Sequence, residues 1–113
     1  MPPIVIHPDD RQLEPVASAE GLPPERTILR RIVSEDRPYA HIVEVPAGHH
    51  VDLHSHSEPE ITIILTGTMT IAGERCGPGT VVLVPAAENY ALEVGDEPVT
   101  FVVVRPARAA FVR

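Results

Sequence analysis

The chain has little cysteine, few basic residues and no long apolar run, and each shortage removes a class of protein. A single cysteine, Cys76, excludes an intrachain disulfide. It lies in the turn-like stretch 73–79 and reads as an incidental turn residue rather than a reactive thiol. Lys and Arg total 9 against 16 Asp and Glu, for a formal charge of −7. An acidic chain without a basic cluster is a poor partner for nucleic acid. The one basic pair, Arg30-Arg31, falls inside a strand candidate. No apolar run approaches the roughly 18 residues of a membrane span. No basic-then-apolar leader opens the chain. The expectation is a cytoplasmic protein with neither membrane nor nucleic-acid partners.

With 113 residues the chain has the length of one domain and one modest core. Thirteen prolines and seven glycines punctuate short runs of valine and isoleucine. That pattern predicts many short strands joined by turns, and no helical period competes with it. Residues 1–26 read as a proline-rich arm with one strand candidate at 4–6. Further strands are predicted at 27–33, 39–45, a short piece ending at 54–56, 60–65, 68–72, 80–84, 89–94 and 98–104. Turn residues separate them, among them Pro46-Ala47-Gly48, Thr66-Gly67-Thr68 and Gly77-Pro78-Gly79. Even spacing of short strands predicts an all-β sandwich or small barrel. Residues 106–113 form a tail.

The chemistry concentrates in residues 48–67. His54 and His56 sit two apart, so on a strand both imidazoles face the same way. Glu60 follows a short turn, Ser57-Glu58-Pro59, and can join them from the next strand. Two imidazole nitrogens and one carboxylate form a facial site for a divalent metal with open positions. Three costly polar side chains inside a small barrel need compensation, and a metal supplies it. The parity of strand 39–45 turns Tyr39, His41, Val43 and Val45 inward, and the next strand turns Thr62 and Ile64 inward. His49, His50 and Glu58 read as solvated turn residues. Arg31 is a candidate clamp for an anionic substrate, and Glu93 takes no assigned role.

Gly48, His54, His56, Glu60 and Gly67, at their spacing, match the first motif of the cupin family at every defined position. Gly79 and Pro85 continue into a second motif without a gap. There Ala87 stands where the family has glycine, Tyr90 where it has its last histidine ligand, and Glu93 where it has asparagine. The resemblance covers about residues 27–105 and implies a single-domain, cupin-type jelly-roll β-barrel with its site in the barrel mouth. It also implies a metal held by His54, His56 and Glu60, with Tyr90 in the fourth place. A phenolate ligand suits ferric iron, whereas zinc accepts three protein ligands plus water. Tyr90 is a metal ligand, a proton-handling or hydrogen-bonding group, or a residue that simply fills the barrel.

The expected function is a metal-dependent enzyme acting on a small organic molecule. Iron and dioxygenase chemistry come first; manganese, zinc or nickel are the alternatives. Tyr90, His41 and Tyr39 are the candidate catalytic residues, and Thr62, Ile64 and Arg31 the candidate substrate neighbours. A redox-neutral isomerase, cyclase or decarboxylase is the second expectation, and a binding module without turnover the third. The resemblance also implies a homodimer, through sheet faces or exchanged arm strands.

Overall fold

The computed structural model describes residues 2–16 and 26–112. Residues 17–25 of the expected arm lie outside the described part. Eleven strands and no α-helix make up the described chain. They are β1 (Glu14–Pro15), β2 (Leu29–Glu35), β3 (Tyr39–Val45), β4 (His50–His56), β5 (Glu60–Thr66) and β6 (Met69–Ile71), followed by β7 (Glu74–Cys76), β8 (Val81–Val84), β9 (Tyr90–Val94), β10 (Val99–Arg105) and β11 (Phe111–Val112). One sheet runs β1-β2-β3-β10-β5-β8 and the other β11-β4-β9-β6-β7, and every pairing is antiparallel.

The core lies between the two inner faces. Val43, Val45, Ile64, Val84, Phe101 and Val103 contribute from the first sheet, and Met69, Ile71, Tyr90 and Val94 from the second. Alternation decides which side chains enter it. On β3, Tyr39, His41, Val43 and Val45 are buried, as the parity predicts, and Ile42 is buried as well. On β5, Thr62 and Ile64 are 3% and 1% exposed, while Ile61 between Glu60 and Thr62 is 42% exposed.

Three features depart from the sequence expectations. The arm's strand candidate at 4–6 is not a strand; a two-residue β1 pairs with β2 instead, Glu14 opposite Arg30. Residues 74–76 form β7 rather than a turn. Ala72 and Gly73, both with positive φ, make a two-residue hairpin that returns Met69 to face Cys76. Cys76 is consequently buried in the core, with its Sγ 3.4 Å from the Glu74 carbonyl. The tail also contributes a strand, β11, which pairs with β4 at Phe111 opposite His56.

Gly67 ends β5 at φ +77°, where a side chain is strained. A Cβ there would meet the Pro98 carbonyl oxygen at 2.3 Å and the Val99 Cα at 2.9 Å, both backbone atoms that cannot swing away. Gly67→Ala is expected to lower the unfolding free energy by about 2–4 kcal/mol. Urea denaturation reads this directly, and an unchanged midpoint would contradict the close approach.

Candidate functional site

Two rows of side chains cross the inner face of the first sheet. Register places Thr62 on β5, Val103 on β10 and His41 on β3 side by side. One pleat further along, Arg105 on β10 lies opposite Tyr39 on β3. Arg105 reaches Glu60, at the start of β5, with two hydrogen bonds. Its Nη2 donates to Oε1 at 2.7 Å and its Nε donates to the same oxygen at 3.1 Å. The guanidinium also lies 5.3 Å from the centre of the Tyr39 ring, within cation–π range. The other carboxylate oxygen, Oε2, accepts from Thr62 Oγ1 at 2.9 Å and from the Tyr90 hydroxyl at a long 3.5 Å.

The second sheet faces this row with His54 and His56 from β4 and Tyr90 from β9. His54 and Tyr90 are cross-strand partners, with ring centres 4.4 Å apart. A carbonyl only accepts, so the 2.8 Å bond from His54 Nδ1 to the Asp52 oxygen puts the proton on Nδ1 and leaves Nε2 with its lone pair. The two imidazole rings stand 5.1 Å apart and nearly perpendicular. Phe111 of β11 stacks on His54 at 4.7 Å and meets His56 edge-on at 5.4 Å. All of these groups line one cavity of about 170 Å³ between the sheets.

Charge in the cavity is almost confined to the Arg105–Glu60 pair. Burial, then the nearby positive charges of Arg105 and Arg30, depress the His41 pKa to about 4. His56 is lowered by burial and Arg105, with Glu60 acting in the opposite sense. Tyr90 is raised by burial and by the Glu60 carboxylate, so it stays a phenol. His49 is also lowered, by burial and by His50. The Tyr39 hydroxyl and His41 Nδ1 stand 2.8 Å apart and share a hydrogen bond.

The metal set implied by the resemblance fits this arrangement only in part. Two imidazoles on one ion at about 2.1 Å place their ring centres about 4.6–5.3 Å apart, and the observed 5.1 Å agrees. Glu60 does not fit in the same way. Its Oε1 lies 4.0 Å from His56 Nε2, whereas adjacent ligand atoms on such an ion stand about 3.0–3.4 Å apart. Both of its oxygens are already engaged by Arg105, Thr62 and Tyr90. Tyr90 donates to Glu60 as a neutral phenol, the opposite of a phenolate ligand. Among the described residues, no three His, Cys, Asp or Glu side chains group as a metal-holding set.

Of the residues expected to meet substrate, His41, Thr62 and Tyr90 line the cavity. Tyr39 acts on it through His41 and Arg105. Ile64 packs in the core cluster rather than on the cavity wall. Arg31 is absent from the cavity wall: its Nη1 donates to the Arg11 carbonyl at 3.0 Å, and it borders an outer groove with Gln12 and Glu14. A bulge between Ile32 and Ser34 on β2 breaks the period-two parity of that strand. His49, expected in a solvated turn, also lines the cavity. Arg105 and Phe111 were not anticipated. Arg105 lies one residue past the predicted strand end, and only continuation of β10 by that residue turns it inward.

No protein-family model matches the chain, and no curated protein matches it. Solved structures do. The polyketide cyclase RemF from Streptomyces resistomycificus aligns over 97% of this chain and 84% of its own, at 21% identity and a TM-score of 0.74. The DMSP lyase DddQ from Ruegeria pomeroyi DSS-3 aligns over 90% of this chain and 60% of its own, at 24% identity and a TM-score of 0.68. A protein of unknown function with a cupin-like fold from Ralstonia eutropha JMP134 aligns over 70% of this chain and 54% of its own, at 9% identity and a TM-score of 0.63. Identities this low speak to architecture alone, and the architecture they share is the one the strands describe: the chain folds as a small cupin.

Proposed function

We propose that this chain is an enzyme for redox-neutral acid–base chemistry, an isomerisation, cyclisation or elimination, on a small and largely apolar organic molecule. The observation that carries the reading is the set of neutral proton-handling groups around one cavity: His41 with its Tyr39 partner from the first sheet, and His56 and the phenol of Tyr90 from the second. The aliphatic and aromatic side chains around them, such as Val43, Met69, Leu92 and Phe101, suit an uncharged substrate body. The fold neighbours add support, since a polyketide cyclase and a DMSP lyase are both built on this architecture.

The roles follow from the protonation states. A histidine with a depressed pKa is a neutral donor that can polarise a carbonyl. With the Tyr39 hydroxyl donating to His41 Nδ1, the His41 proton sits on Nε2. That N–H stabilises negative charge developing on the substrate oxygen. His56 Nε2 takes the proton from the adjacent carbon. The imidazolium so formed has the Glu60 carboxylate 4.0 Å away as its counter-charge. Return of the proton to another atom completes an isomerisation; departure of a leaving group completes an elimination. Arg105 keeps Glu60 in place, and Thr62 fixes its second oxygen.

The spacing of the two imidazoles favours a second reading, metal-dependent catalysis with iron, manganese, zinc or nickel, in which Glu60 leaves Arg105 to join His54 and His56. Iron-dependent dioxygenation is the oxidative form of that reading. The assembly we propose is a homodimer of two copies of this chain. Its support is the apolar outer stripe of Ile61, Val81 and Leu83 on β5 and β8, beside a strand with one unpaired edge.

Incubation in heavy water with a panel of small ketones, enones and hydroxy-acyl compounds tests the acid–base reading. The expected result is deuterium at the carbon beside the carbonyl. His56→Ala and His41→Ala should each lower that rate by about 10²–10⁴-fold. Exchange that persists undiminished in both variants, or product formed only with matching oxygen uptake, would remove this reading.

The same protonation states set a pH dependence of stability. His41 titrates at about 4 when folded against an ordinary 6.5, so between those values the unfolded chain binds more protons. Stability therefore rises with pH across that window and levels off above it. The His41 share is about 3 kcal/mol across the window, and His56 and His49 act in the same direction. Denaturation midpoints of wild type and His41→Asn, compared from pH 4 to 7, should converge toward acid. Parallel curves would show that His41 is not buried as a neutral ring.

A further inference from the structure

We infer that the resident cation of this barrel is the Arg105 guanidinium rather than a metal ion, and that Glu60, held as its counter-ion, is withdrawn from His54 and His56. The inference goes beyond the acid–base reading and does not depend on it.

Four observations converge. First, the capacity of the carboxylate is filled. An ionised carboxylate has about four lone-pair directions, and Glu60 receives four donors: two from Arg105, one from Thr62 and one from Tyr90. Second, Arg105 is positioned independently of Glu60. Its backbone is fixed by pairing with Tyr39 on β3, and its head group lies against the Tyr39 ring. Third, the residue in the place of the family's last histidine ligand, Tyr90, is turned to Glu60 as a donor, which serves an anion already paired with an arginine. Fourth, no fully buried polar atom is left for a metal to satisfy. Among the described residues no buried side-chain nitrogen or oxygen lacks a hydrogen-bond partner.

Electrostatics opposes adding an ion to this arrangement. A divalent cation between His54 and His56 would share the low-dielectric cavity with a guanidinium that already holds the one carboxylate that lines it among the described residues. Drawing Glu60 to the ion would strand Arg105, and one partner of a buried pair is costly to leave alone. Two imidazoles without a third ligand fall short of the three or four protein ligands that zinc sites use.

The test is titration calorimetry with Zn²⁺ and Ni²⁺, together with elemental analysis of the purified protein. Wild type is expected to bind weakly through the two imidazoles, so Glu60→Gln should leave the affinity within roughly threefold and His54→Ala should abolish it. Arg105→Met releases Glu60 toward the histidines and should raise metal affinity by roughly tenfold or more. Should Arg105→Met fail to fold, the comparison of wild type with Glu60→Gln decides the matter alone. Wild type that carries one equivalent of metal and loses affinity by roughly tenfold or more in Glu60→Gln overturns the inference. So does a folded Arg105→Met with no gain. Either result leaves the heavy-water experiment standing as a separate test of the chemistry.

Discussion

The ion pair between Arg105 and Glu60 is the constraint on which the rest of the site depends. It ties the last residue of β10 to the first residue of β5, across the sheet's inner face, with both side chains almost withdrawn from solvent. Such a pair is weak evidence for stability, because desolvation offsets much of the attraction. Its effect here is on arrangement. The guanidinium holds the carboxylate and lies beside Tyr39, Tyr39 bonds to His41, and the positive charge adds to burial in lowering the proton affinity of both His41 and His56. One contact thus links side chains from three strands of the first sheet.

The second sheet supplies what the first lacks. His54, His56 and Tyr90 bring nitrogen and hydroxyl groups to an otherwise aliphatic wall, and Phe111 packs over both imidazoles from the end of the chain. In a cavity with few polar groups each hydrogen bond is electrostatically stronger than in water, and each unpaired group is more costly. The Asp52 backbone carbonyl orients His54, and among the described residues no fully buried side-chain nitrogen or oxygen lacks a partner.

Local pattern carried most of the architecture. Period-two alternation placed Tyr39, His41, Thr62 and Ile64 inside, and turn residues located the strand boundaries to within two or three positions, as at β3, β5 and β10. The departures are places where local pattern holds no information. Residues 74–76 have no alternation to read, and they become a strand because the Ala72-Gly73 turn folds them back on β6. β11 is two residues long and exists through its pairing with β4. Arg31 sits next to a bulge, which cancels the parity rule for its strand. Arg105 is the telling case. A lone arginine before a proline has no local signature, and its partner lies 45 residues earlier in the chain. Only the antiparallel register of β10 between β3 and β5 brings the two together.

The metal expectation rests on the same kind of local pattern. His54, His56 and Glu60 are polar side chains in an apolar barrel, and the premise that such groups need compensation is sound. The premise does not name the compensator. A metal ion, an arginine from a distant strand and a backbone carbonyl all satisfy it, and only the ion is suggested by the spacing of the ligands themselves. In this fold the carboxylate is answered by a guanidinium, a threonine and a tyrosine, and one imidazole by a carbonyl. The tyrosine in the place of a histidine then reads differently. Phenol is a poor ligand while it keeps its proton, and burial beside a carboxylate makes it keep that proton. As a donor to that carboxylate it is well suited. Tyr90 and Arg105 thus act on one group: each supplies hydrogen to Glu60, and together they hold it as an anion.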